Sequence, residues 1–171
     1  MARLPILVAP HPVLKQKAKP VAEVNDAIRA LMDDMLDTMY DAPGIGLAAP
    51  QVGQSIRVLV LDIARDGEPR APMCMANPEI LWVSDEDSHY EEGCLSVPEH
   101  YADVVRPAQV KVRYLDRDNK RQEILADDLL ATVVQHEMDH LDGILFIDHL
   151  SNLKRNMILR KLTKARKDAQ E

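Results

Sequence analysis

The residues with the most chemical potential stand at Gln135–Gly143, Gln-His-Glu-Met-Asp-His-Leu-Asp-Gly. His136 and His140 are four apart, and Glu137 directly follows the first. On a helix, residues at that spacing project from one face, one turn above the other. Two imidazole nitrogens could then bind one metal ion, with a carboxylate beside them. H-E-x-x-H on a helix is a metallohydrolase pattern in which the glutamate serves as general base. An ordinary amphipathic helix with two exposed histidines would read the same way. The rest of the chain must therefore supply a third ligand, an oxyanion stabiliser and a substrate pocket.

A catalytic metal site of this kind takes about three protein ligands and keeps one position open. The extended pattern H-E-x-x-H-x-x-G-x-x-H requires histidine where this chain has Phe146. The only glutamate after Glu137 is Glu171. His149 remains open, but it lies beyond Gly143 at no familiar spacing. An upstream ligand is expected, and Cys94 in Glu92-Gly-Cys-Leu-Ser96 is the best candidate. Its alternative is a buried, inert thiol, and Cys74, between Met73 and Met75, reads that way. A second glycine-bearing stretch is Gly44-Ile-Gly-Leu-Ala-Ala-Pro-Gln51. Its glycines permit close backbone approach, and Gln51 offers one amide. A buried turn with a capping glutamine is the competing reading.

Several elements must position these residues. Asn25 is a candidate N-cap for a first helix, with Ile28, Leu31, Met32, Met35 and Met39 at helical period, ended by Pro43-Gly44. Residues 1–24 are punctuated by proline and are expected to be looped or extended. Ile56–Asp62, Glu79–Val83, Val104–Arg106, Gln109–Leu115 and Gln122–Leu125 read as strands, with Ser84–Glu92 partly extended. Asn77-Pro78 reads as a turn, and so does Asp116–Lys120. Asp127 or Asp128 caps the helix that carries the histidines, and Gly143 stops it. A last helix begins near Ser151, with Leu153, Met157, Ile158 and Leu162 as its apolar stripe. Strands and helices do not alternate regularly. The expected fold class is α+β, with antiparallel strands packed around a central metal-binding helix and a C-terminal helix.

At 171 residues, 46 % hydrophobic and 29 % charged, the chain suits one domain spanning 1–171 with one core. Net charge is −7, which argues against a whole-surface nucleic-acid binder. The charge is unevenly placed. Residues 152–171 carry seven basic and two acidic side chains, +5 in all, leaving −12 on the body. A basic helix on an acidic body suits an anionic partner, although a solvated helix face reads equally well. Two cysteines make no disulfide framework. The N-terminal stretch has no long apolar run or small-residue cleavage site, and no segment reaches membrane-spanning length. A cytoplasmic protein with no membrane contact is expected.

Gly44–Gln51, Glu92–Ser96 and Gln135–Gly143, in that order and spacing, resemble the three motifs of peptide deformylase. The likeness runs from about Val8 to the C-terminal helix. It implies a hydrolase that removes the formyl group from N-formyl-methionyl nascent chains. Cys94, His136 and His140 would bind one divalent metal, ferrous iron by family habit, with zinc or nickel able to occupy the site. Chemistry alone favours zinc for a Cys/His₂ set. Glu137 would be the base, and the Gln51 amide and the Leu95 N–H would stabilise the oxyanion. The resemblance also implies backbone hydrogen bonds from Ile45, Gly46 and Gly93 to an extended peptide. Val133, three before His136, should face the same side and help line a methionine pocket, unless it is plain core. Glu92 and Arg106 are expected to pair and hold the Cys94 loop. In some family members a C-terminal helix docks on ribosomal RNA, a role open to Lys154–Lys167 here. The competing functions are a peptidase that cuts internal bonds, which Phe146 opposes, and a non-enzymatic module with a closed, four-ligand structural metal.

Overall fold

The computed structural model describes residues 3–170. α1 (Asp26–Asp41) opens at Asn25, whose side chain accepts from the Ile28 N–H at 3.0 Å. β1 (Gly46–Ala48), β2 (Val58–Leu61), β3 (Met73–Val83), β6 (Val110–Leu115) and β7 (Arg121–Ala126) make one antiparallel sheet in the order β1-β2-β3-β6-β7. β4 (Asp87–Cys94) and β5 (Val97–Pro107) pair only with each other, as a separate hairpin. α2 (Asp128–Leu141) carries the two histidines, and α3 (Asn152–Gln170) ends the chain. The class is α+β, as the sequence predicts.

Two faces of the larger sheet bury two cores. On one, Met32, Met35 and Met39 of α1 pack on Val58, Val60 and Cys74. The methionine stripe is therefore core, and Cys74 is a buried thiol. On the other, Val134, Met138 and Leu141 of α2 pack on Leu59, Leu61, Val110 and Val112. A third cluster joins the hairpin to the C-terminal segment through Val97, Val104, Phe146, Ile147 and Leu162. α2 thus lies between the sheet and the hairpin, which is why it is buried along most of its length, polar residues included.

Three differences from the sequence reading have physical causes. Asn77-Pro78 is no turn but a bulge inside the long strand β3. Asn77 takes φ +48° there, and its side chain staples the bulge to Val21 by accepting from its N–H and donating to its carbonyl. β5 runs well past the short Val104–Arg106 strand, because the hairpin is exposed over much of its length and shows little apolar alternation. On α3 the buried side is Leu162, with Ile158 and Leu159 partly covered, whereas Leu153 and Met157 are exposed. Gly143 does stop α2. It sits at φ +75°, and a Cβ there would meet the Lys15 carbonyl oxygen at 2.5 Å.

Candidate active site

α2 presents His136 and His140 on one side, and the tight β4–β5 connection brings Cys94 to meet them. The three donor atoms lie within 4.8 Å of one another. Cys94 Sγ is 3.3 Å from His140 Nε2. A tetrahedral ion with ordinary Zn–S and Zn–N bonds holds sulfur and nitrogen about 3.5 Å apart, so the spacing fits one shared ion. His149 is not part of this group. Its Nε2 meets Asp139 Oδ2 at 2.8 Å.

The charges around the cluster favour a cation. Burial opposes a charged His136, but Glu137, Cys94 and Glu92 outweigh it and push its pKa well above the ordinary value. Burial and the nearby charge of His136 push His140 well below it. One divalent ion shared by a thiolate and two neutral imidazoles meets the same demand for positive charge. The His136 ring is already turned for it. Nδ1 faces Glu92 Oε1 at 2.9 Å, which leaves Nε2 toward Cys94 and His140.

Glu137 stands over the donors. Its Oε2 is 3.9 Å from His136 Nε2 and its Oε1 is 4.0 Å from His140 Nε2. Oε1 is buried and has no hydrogen-bond partner. Burial pushes the carboxyl up to about 7, with His136 opposing. A carboxyl poised there is suited to taking and returning a proton near neutral pH. Its unpaired oxygen is an acceptor awaiting a donor such as water.

Gln51 is held in a fixed orientation. Its Oε1 accepts from the Ala48 N–H at 2.9 Å, and its Nε2 donates to Ser96 Oγ at 3.0 Å and reaches Cys94 Sγ at 3.5 Å. The donor end of the amide therefore faces the cysteine. Leu95 occupies the turn directly after Cys94. Behind the site, Arg106 Nε and Nη2 donate to both oxygens of Glu92 at 2.7 and 2.9 Å. Burial alone would raise the Glu92 carboxyl, but the bonds from Arg106 and His136 hold it down at about 2.

A cleft of about 790 Å³ opens onto Cys94, His136 and Glu137. Ile45, Gly46, Gly93, Leu95 and Val133 line it, so these residues expected at the site share one cleft. Val133, on α2, both lines the cleft and packs in the core under the helix. Ser96 and Asp139 were not singled out from the sequence. Ser96 lay within a motif but showed no partner until folding brought Gln51 to it. Asp139 looks like a solvated helix residue and instead accepts from Arg106 Nη1 at 2.8 Å.

Comparison with known proteins agrees with this geometry. The family model described as polypeptide deformylase matches residues 3–156. The chain is 61 % identical over 171 residues to peptide deformylase of Methylocella silvestris, covering 98 % of this chain and 87 % of that one. It is 59 % identical over 169 residues to peptide deformylase of Phenylobacterium zucineum, covering 99 % and 100 %. The crystal structure of peptide deformylase from Ehrlichia chaffeensis superposes with a TM-score of 0.94 at 36 % identity, over 99 % of this chain and all of that one. The chain belongs to the polypeptide deformylase family, and it is a metal-dependent hydrolase that removes the N-terminal formyl group from newly synthesised proteins.

Proposed function

We propose that Cys94, His136 and His140 hold one divalent ion in a single catalytic domain spanning 1–171, and that Glu137 is the base of formyl hydrolysis. The observation that carries this is the unpartnered, buried Glu137 Oε1 facing the three clustered donors. When bound, the ion would bring the pKa of water to about 7 and polarise the formyl oxygen. Ferrous iron is the proposed resident, with zinc or nickel as substitutes. Glu137 takes the proton of the attacking water and returns it to the amine that leaves as formate is released. The Gln51 amide and the Leu95 N–H donate to the oxygen that gains charge at the tetrahedral stage. Glu92, held by Arg106, keeps the His136 ring in its tautomer.

Backbone groups of Ile45, Gly46 and Gly93 would pair with an extended nascent chain, reading main chain rather than side chains. That suits an enzyme that must accept many proteins. Val133 would contact the methionine side chain. The formyl carbon carries only hydrogen where acetyl carries a methyl group, so formyl is favoured over acetyl by size. No described helix is long and apolar enough to cross a membrane. A cytoplasmic site of action follows from the substrate, and the exposed basic residues of α3 suit contact with ribosomal RNA.

The test is formate release from a formyl-Met peptide, set beside cleavage of casein, for protein of measured metal content. The native chain should release formate and leave casein intact. Glu137→Ala should keep its metal and lose almost all activity, and near-normal turnover would remove Glu137 as base. Cys94→Ala should lose the metal, and stoichiometric iron or zinc in that variant would remove Cys94 from the ligand set.

A further inference from the structure

The hairpin that carries Cys94 has no backbone ladder to the rest of the molecule, because β4 and β5 pair only with each other. Apart from the Ala9 N–H, which donates to the Ser96 carbonyl at 2.8 Å, and the apolar packing of Val97 and Val104, side-chain contacts set Cys94 against the two histidines on α2. Three polar contacts from α2 hold the hairpin: Gln135 Nε2 donates to the Pro107 carbonyl at 3.0 Å, and His136 meets Glu92 at 2.9 Å. The third is less expected. Arg106, from the partner strand of the same hairpin, reaches Asp139 on α2 at 2.8 Å. His136 and Asp139 are three apart, so both lie on the same side of α2. Arg106 itself joins the two points by its fork to Glu92. Beside the Gln135 bond at the hairpin's end, its charged side chains are thus gripped at two places by one helical turn, and a two-point grip fixes rotation where a single contact does not.

The same Asp139 oxygen, Oδ2, also meets His149 Nε2 at 2.8 Å. Asp139 is therefore held from outside by the short helix Phe146–His149 while it holds Arg106 from inside. Arg106 is only 5 % exposed, and Glu92 is still more buried. A charged side chain so placed holds one geometry only if each of its donors has a partner. Without Asp139, Arg106 Nη1 loses its acceptor.

We infer that Asp139 is a positioning residue for the metal centre: with His136 it clamps the β4–β5 hairpin on α2 and so sets Cys94 Sγ against the two histidine nitrogens. Its carboxylate meets Arg106 and His149, and it does not line the cleft. It acts through Arg106, and His149 supports it from the surface. The inference rests on the metal reading proposed above.

The experiment compares native chain, Asp139→Ala, Asp139→Asn and His149→Ala, each loaded with Co²⁺. Two quantities are read: the rate of metal loss to a chelator, and the near-ultraviolet thiolate-to-cobalt charge-transfer band. Supporting contacts behind metal ligands are worth about 10–100-fold in affinity. Asp139→Ala should therefore lose cobalt about 10–100-fold faster and show a shifted or weakened band. Asp139→Asn keeps an acceptor and should recover part of the difference, and His149→Ala should show a smaller change in the same direction. The metal-free proteins should melt within a few degrees of one another. An Asp139→Ala band and loss rate equal to the native values would overturn the inference, and so would an equal melting loss in metal-free and loaded protein. If the native chain shows no thiolate–cobalt band, the metal reading itself fails, which is a different outcome.

Discussion

Gly46 lies so close to Glu137 that a Cβ built on it would come within 2.9 Å of the Glu137 carboxyl carbon. β1 is the edge strand of the larger sheet, and its first residue lies against the proposed base. Only a hydrogen fits between them. Gly46→Ala must therefore displace the carboxylate or the strand. A shift of about 1 Å in a reacting group costs on the order of 10²-fold in rate. We expect Gly46→Ala to bind metal normally and to lose about that factor in kcat, as measured by formate release. Unchanged turnover would mean that Glu137 has room the structure does not show.

Gln51 offers a sharper test of electrostatic assistance. Its Oε1 is fixed by the Ala48 N–H, so Gln51→Glu can keep that bond while replacing the donor with an acceptor. Loss of one oxyanion donor costs about 3–4 kcal/mol of transition-state stabilisation. We expect kcat to fall by roughly 10²–10³-fold with KM little changed. Ser96→Ala removes the Oγ that receives Gln51 Nε2, and should cost less, since the Ala48 anchor remains.

Arg106→Leu should be costly for stability as well as activity. The substitution leaves Glu92 buried with its charge unpaired by any guanidinium, while His136 still needs it. Breaking a buried pair by removing one partner costs about 3–5 kcal/mol. Denaturant unfolding of Arg106→Leu should show a loss of that order. Replacing Glu92 by leucine as well should restore much of the stability without restoring tight metal binding. Native stability and activity in Arg106→Leu would discard the pair as a support.

The α1 core was legible because its signals are local: Asn25 caps, and the methionines repeat at helical period. The donor set was legible for a similar reason, since His136 and His140 share one helix and elimination pointed upstream to Cys94. The α3 stripe was not. Leu153–Met157 and Ile158–Leu162 share the same four-residue spacing, and only the position of the Phe146–Ile147 cluster selects the second pair. Asp139 left no signal in sequence either. Its partner comes from a hairpin 33 residues upstream, and no local pattern announces that meeting.

Cys74 gives a pH dependence away from the metal site. Burial pushes its thiol up from 9.0 to about 11. In the unfolded chain it ionises near the ordinary value, while the folded chain holds the proton longer. Its stabilising contribution is complete below pH 9 and is lost as pH rises toward 11. Two pKa units correspond to about 3 kcal/mol at most. Denaturant unfolding at pH 8 and pH 10.5 should show the native chain losing more stability than Cys74→Ala. Parallel losses would mean that the thiol does not contribute.

The C-terminal helix can be tested without removing it, and should be, because Leu162 is buried in the third core cluster. Truncation after Leu150 would disturb that packing along with the charge. Lys161 and Lys164 are exposed, so reversing both to glutamate leaves Leu162 in place. If α3 contacts ribosomal RNA, the double variant should bind ribosomes more weakly. The slope of log affinity against log salt should also flatten, because fewer phosphates are neutralised. Formate release from a short formyl-Met peptide should be unchanged, since neither lysine lines the cleft. Ribosome affinity that is insensitive both to these reversals and to salt would assign the basic face to solvation alone.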